Sequence, residues 1–246
     1  MSIPKEPRQL MINLMYLVLT ALLALNVSAE VMYAFFTLDK GIKNSNDIVE
    51  NTNQTILNNI QKQADAYDNE ENRAFLESAL QAKALSDELA TYVGELKEQL
   101  FEAAGGEDPK HPDQPKRIKD KDVTTRMFVG ETGKEDGEGY VLEKKIMDTR
   151  AKLLEIVEND PTLAESIPLK IDDSFAEKSD AKSWTEFNFF QMPVAAVFPL
   201  LTKIQNDAKA SSTAILNYFL GKVSGEEIKF DAFEPVISAR KGYIIR

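Results

Sequence analysis

The residue types that carry most enzyme chemistry are nearly missing from this sequence. Its 246 residues include no cysteine and a single histidine. Without cysteine there is no disulfide, no thiolate nucleophile and no Cys-based zinc site. His111 stands in a Pro-rich loop, Asp108-Pro-Lys-His-Pro-Asp, and one imidazole cannot build a multi-histidine metal centre. There is no Gly-rich phosphate loop, no H-E-x-x-H and no nucleophile elbow. The acid pairs Glu70-Glu71 and Asp172-Asp173 fall in turns and read as exposed charge. The run from Glu131 to Gly139 looks calcium-like, but it lacks the alternating Asp/Asn spacing of an EF-hand. No catalytic residue, metal or cofactor is expected, and the chain reads as a non-enzyme.

The chemistry that remains lies near the N-terminus. Gln9, Asn13, Tyr16 and Thr20 recur at spacings of four, three and four, which is one face of a helix, inside a segment otherwise made of Leu, Met, Ile, Val and Ala. Polar groups are disfavoured against lipid, so such a stripe is expected to face other helices, where it can hydrogen-bond. Arg8 sits at the start of the segment, to one side of the stripe. Two readings of it stand. It is a topology charge snorkelling to the cytoplasmic headgroups, or a buried cation paired with a carboxylate on a partner helix.

The element that must position these groups is Leu10–Ala29, 20 residues without a charge. At ~1.5 Å per residue it spans about 30 Å, one hydrocarbon thickness, and only a helix satisfies its own backbone there. Lys5 and Arg8 precede it, so residues 1–9 are expected in the cytoplasm and the rest of the chain across the membrane. Val27-Ser28-Ala29 has the small residues of a signal-peptide cleavage site. Apolar character resumes at once through Val31-Met32-Tyr33-Ala34-Phe35-Phe36, however, which favours a retained anchor at 10–29.

The remainder is acidic, in a chain of net charge −11. Such a body repels nucleic acid and anionic headgroups, and neither is expected as a partner. Hydrophobic residues at 43% and charged residues at 28% fit a folded chain. A helical face through Ile42, Val49, Thr52, Ile56 and Ile60 continues the membrane helix to about Ala64, as a stiff connection. A second helix starts at Asp68-Asn69-Glu70-Glu71, carries Leu76, Leu80, Leu85, Leu89, Val93, Leu96 and Leu100, and ends at Gly105-Gly106. The two are expected to pair antiparallel, without a sustained coiled-coil heptad. Residues 105–139 hold six Gly and three Pro and read as a long loop, with a short extended piece at Arg126–Val129 and a solvated charged run from Lys116 to Lys121. A third helix spans about Val141–Val157. A fourth begins at a Ser183/Glu186 capping box, is kinked or divided by Pro193 and Pro199, and ends at Gly221. Short apolar runs at Ile228–Phe230, Val236-Ile237 and Tyr243–Ile245 read as strands, the start of a β-rich domain. The expected architecture is mainly α. A cytoplasmic 1–9 leads into a single transmembrane helix 10–29, a periplasmic helical bundle 30–224 and a truncated β-rich domain 225–246.

The run Pro7-Arg8-Gln9-Leu-Met-Ile-Asn13-Leu-Met-Tyr16-Leu-Val-Leu-Thr20 through Leu25-Asn-Val-Ser28 closely resembles the GldM/PorM family. So do Gln191-Met-Pro-Val-Ala-Ala, Leu201-Thr-Lys-Ile-Gln-Asn-Asp and Phe233-Glu-Pro-Val-Ile. These are inner-membrane motor subunits of gliding motility and the type 9 secretion system. The resemblance implies two copies standing inside a ring of a polytopic partner, GldL/PorL. Proton flow there drives rotation, and torque passes through the periplasm to GldK/GldN-like proteins by way of further C-terminal domains. It also implies that Arg8 faces a membrane-embedded glutamate of the partner and that Tyr16 matches the family tyrosine; with Asn13 and Thr20 these are the expected intramembrane contacts. A different class of function is a single-pass, membrane-anchored periplasmic ectodomain that binds a ligand or acts as an adhesin. About nine cytoplasmic residues leave no room for an output domain to serve such a receptor.

Overall fold

A computed structural model of the chain describes residues 7–25, 29–131, 134–172 and 180–224. Helix α1 (Pro7–Leu25) is followed by α2 (Ala29–Ala66), a 38-residue helix, and α3 (Glu70–Ala103). A two-stranded antiparallel hairpin, β1 (Glu107–Asp108) and β2 (His111–Pro115), leads to α4 (Asp122–Thr124). Then come α5 (Glu138–Ile156), α6 (Pro161–Ser166), α7 (Trp184–Phe189) and the 31-residue α8 (Val194–Ser224). Among the described residues the protein is mainly helical, as expected. The apolar runs at 228–245 lie outside the described residues, and so do 26–28, where α1 and α2 would join.

Local chemistry explains most boundaries. The Asn69 side chain accepts the Asn72 N–H at 2.7 Å and opens α3. At its far end Gly105 and Gly106 take φ of +102° and +64°, and Gly106 N–H returns to the Phe101 carbonyl. Asp160 caps α6 ahead of Pro161. Ser183 caps α7 by accepting from Glu186 N–H, while the Glu186 carboxylate accepts from Lys182 N–H, one residue earlier than a strict capping box.

The bundle differs from the expected antiparallel pair. Helix α8 lies between α2 and α3 and forms most of the contacts of both. Its contacts with α2 advance along both helices together: Phe36 meets Phe198, Asn46 meets Thr202 and Asn53 meets Lys209. Partners that rise together in number mean that the two helices run parallel. Contacts with α3 run the other way, Phe101 meeting Phe198 and Phe75 meeting Phe219, so α3 is antiparallel to α8. Helices α2 and α3 touch directly at ion pairs, Lys97–Asp39 and Lys83–Glu50.

The buried stripes match those read in the sequence in part: Ile56, Ile60, Leu89, Val93, Leu96 and Leu100 are buried as read. On α2, Thr52 is exposed instead, and the inward residues are Met32, Phe36, Asn46, Asn53, Ile56, Leu57, Ile60 and Ala64. On α3, Leu80 faces out; Ala79, Ala82, Ser86 and Ala90 face in, small residues that admit α8 closely. Gly221 lies inside α8, which runs on to Ser224. Pro193 separates α7 from α8, whereas Pro199 sits buried within α8 without ending it.

Residues 105–131 and 134–139 form a folded cap, not a long loop. Arg126–Val129, expected to be extended, forms one π-helical turn that ends with Gly130 N–H on the Thr125 carbonyl. Tertiary contacts override its β propensity. Phe128 is buried and stacked on Phe189 at 4.4 Å, Thr124 Oγ1 donates to the Met192 carbonyl, and Gln191 N–H donates to Thr125 Oγ1. The charged run 116–121 passes over the start of α8, where the Asp120 and Ile118 carbonyls accept the otherwise orphaned N–H groups of Val194 and Ala195, each at 3.0 Å.

Candidate functional site

Helix α1 presents Arg8, Asn13, Tyr16 and Thr20 on a surface in which every described side chain, Arg8 to Thr20, is exposed. Met11, Leu17 and Tyr16 each leave two-thirds or more of their surface uncovered. The Thr20 hydroxyl donates to the Tyr16 carbonyl one turn back, so its proton is used within the helix and only its lone pairs are left for a neighbour. Among the described residues Arg8 makes no ion pair. These four residues are placed on one helix but not brought together into a pocket. Among the described residues no helix is long and apolar enough to cross a membrane. No group of three or more His, Asp or Glu among them could hold a metal ion.

A second polar arrangement, between α2 and α8, was not read from the sequence. Asn46 Nδ2 donates to the Thr202 carbonyl at 3.3 Å, and Asn206 Nδ2 donates to Asn46 Oδ1 at 2.7 Å. One heptad on, the pattern repeats. Asn53 Nδ2 donates to the Lys209 carbonyl at 2.9 Å, and Thr213 Oγ1 donates to Asn53 Oδ1 at 2.6 Å. Both asparagines are buried, at 6% and 1% exposure, so the amide dipoles act in a low-dielectric setting. One heptad before Asn46, Asp39 closes the ladder. Lys97 Nζ reaches both of its carboxylate oxygens, at 2.7 and 2.9 Å, and the Thr202 hydroxyl at 2.6 Å. Lys97 also lies over the Phe198 ring, which packs against Phe36 and Phe101. Burial lowers the Lys97 pKa, although Asp39 opposes the shift.

Glu50 joins all three helices. Lys83 from α3 and Lys209 from α8 bind it at 2.8 and 3.0 Å, and Lys83 also holds Asp87 at 2.6 Å. Burial pushes the Glu50 carboxyl up, but the two lysines together outweigh it and hold the group below its ordinary 4.5. The seven-residue spacing of Met32, Asp39, Asn46, Asn53 and Ile60 was a sequence signal for this ladder. A polar residue repeated at a core position is what fixes register and direction between parallel helices. The arrangement opposes sliding of α2 along α8.

A family model described as the GldM N-terminal domain matches residues 30–222, which take in the α2, α3 and α8 bundle and its cap. A search of curated proteins finds no match. The matched residues make up well over half of the chain. The chain therefore belongs to the GldM/PorM family, as a component related to gliding motility and type 9 secretion.

Proposed function

We propose that this chain is the torque-transmitting subunit of a motor driven by the proton motive force. Helix α1 anchors it in the inner membrane within segment 10–29, with residues 1–9 in the cytoplasm and the bundle in the periplasm. The single observation that carries this reading is the junction. An apolar helix exposed from Arg8 to Thr20 is separated by only three residues from a 38-residue helix that is tied in register to a parallel neighbour. A rigid lever attached that closely to a membrane helix follows the motion of that helix; a Gly/Ser linker would absorb it.

The exposed face of α1 needs lipid or other helices to cover it, which fits a GldL/PorL-like polytopic ring. A second copy of the chain is the other partner. Along the outer side of α2, Ala34, Leu38, Gly41, Ser45, Ile48, Thr52 and Thr55 keep heptad spacing, all exposed and none charged. Thr52 and Thr55 donate their hydroxyls to carbonyls one turn back, which leaves their methyls free to pack. Nothing lies within 4 Å of a Cβ built on Gly41. Such a face suits close parallel contact between two copies anchored in one membrane. GldK/GldN-like proteins would be met through further periplasmic domains.

Arg8 tests the proposal. Against a partner glutamate it keeps that group ionised until a proton arrives, because pairing lowers a carboxylate's pKa. Arg8→Ala is expected to abolish gliding or secretion with subunit levels and complex assembly unchanged. Arg8→Lys should rescue only in part, since it keeps the charge and loses the planar fork. Full motility in Arg8→Ala cells would overturn the role. Copurification with a small polytopic membrane protein separates a motor subunit from a lone anchored ectodomain that binds a ligand.

A further inference from the structure

The cap of the bundle sits at the α1 end. His111 on β2 meets Tyr33 near the start of α2, with ring centroids 5.1 Å apart and Tyr33 Oη 3.3 Å from Nε2. The strap 116–121 covers the first turn of α8, whose Phe198 is level with Phe36. Residues 26–28 give Leu25 and Ala29 a maximum separation of about 14 Å. Whatever surface α1 emerges from, the cap lies next to it.

One strap of that cap is positive, although residues 105–139 as a whole hold seven basic and nine acidic residues. Between residues 116 and 126 stand Lys116, Arg117, Lys119, Lys121 and Arg126 against Asp120 and Asp122, a net +3 in a chain of −11. All five basic residues are exposed. Asp120 is engaged inward: its carboxylate accepts the N–H groups of Asp122 and Val123 at 2.9 and 3.2 Å and pairs with Arg117. The Debye length is about 8 Å at physiological salt, so a surface touching the strap responds to the local charge and not to the acidic body beyond.

Beside the strap, Phe190 is 55% exposed. The next residue, Gln191, takes φ +52°, a left-handed conformation that a non-glycine residue adopts at an energetic cost. Its N–H is held by Thr125 Oγ1 from the strap side. The backbone is thus fixed in a strained turn at the point where an aromatic ring faces outward. Exposed lysines and arginines next to an exposed aromatic ring, at the base of a membrane helix, match the polar–apolar boundary of a bilayer.

We propose that the strap of the cap, through Lys116, Lys119, Lys121 and Phe190, rests on the outer leaflet of the membrane that α1 enters and binds anionic phospholipid headgroups. The proposal rests on α1 being a membrane anchor. It supplies a bearing surface: the bundle is held upright by contact with lipid as well as by its helix.

The absence of cysteine allows a clean test. Phe190→Cys and, as a control at the far end of α2, the exposed Tyr67→Cys are labelled with an environment-sensitive fluorophore in the full chain. Each is reconstituted without any partner into vesicles of phosphatidylcholine alone, or with phosphatidylglycerol, carrying headgroup spin labels. The expected result is strong quenching at position 190, stronger with phosphatidylglycerol, and none at position 67. Each basic residue at an anionic surface favours contact on the order of fivefold, so Lys116→Glu/Lys119→Glu/Lys121→Glu should abolish the dependence on phosphatidylglycerol. Chains that float with vesicles but quench no more at 190 than at 67, or equally in both lipids, overturn the proposal and leave the anchor intact. Chains that fail to float overturn the anchor, and the proposal with it.

Discussion

Asp39 and Lys97 show how much a single pair can decide. Their side chains are 14% and 19% exposed, and Thr202 completes the cluster. Removing one partner strands the other charge. Lys97→Met is therefore expected to destabilise the domain by on the order of 2–3 kcal/mol, below the figure for a fully buried pair. Asp39→Leu/Lys97→Met should return to within about 1 kcal/mol of the wild type, because two apolar groups leave no charge unpaired. Denaturant titration of the four members of the cycle measures this. Glu50 gives a pH signature. Its carboxyl is held below 4.5 in the folded state, so its contribution is complete above that value and fades as pH falls through the lowered one. Between about pH 6 and pH 3 the wild type should lose more stability than Glu50→Gln. Equal slopes would mean that the Lys83 and Lys209 contacts are too solvated to matter.

At the scale of elements, the capped ends were legible and the packing was not. Asn69, Gly105-Gly106 and Ser183 announced boundaries because caps are short-range chemistry, whereas the short helix that Asp160 caps was not read from the sequence. The turn Arg126–Val129 misled because its β-branched and aromatic residues serve a buried site built by α7, about 60 residues later. The ladder was missed because Asp39, Asn46 and Asn53 are polar, and polarity reads as a solvent face until partners 156 to 163 residues away are known. Arg8, Asn13, Tyr16 and Thr20, expected to form intramembrane contacts, stay exposed on one helix. Asn46→Ala and Asn53→Ala should each lower stability by about 1–3 kcal/mol by leaving buried groups unpaired. The rungs are about 10 Å apart, so the double variant should be near the sum of the two. Strong non-additivity in chemical unfolding would show that the rungs act as one unit.

For the whole molecule, the proposed pairing of two copies makes a geometric prediction. Phe36, apolar and close to α1, looks like a seam residue in the sequence, yet it is buried against Phe198. The exposed, uncharged face of α2 lies on the opposite side. Disulfide crosslinking in membranes is therefore expected between copies carrying Ile48→Cys or Gly41→Cys, and not between copies carrying Phe36→Cys. Ile48→Glu should weaken self-association by placing like charges opposite each other. Crosslinks at Phe36 but not at Ile48 would refute this geometry.

The parallel run of α2 and α8 has a mechanical consequence. Ala29, the first residue of α2, and Ser224, the last of α8, lie at opposite ends of the bundle. A load pulling between these two points acts along the helix axes, in shear. Each rung, Asp39 with Thr202, Asn46 with Asn206 and Asn53 with Thr213, then bears the force at the same time. Had the two helices been antiparallel, the same two ends would have been side by side, and the rungs would have opened one after another like a zip. The topology turns a set of individually modest hydrogen bonds into a joint that yields only when all of them fail together.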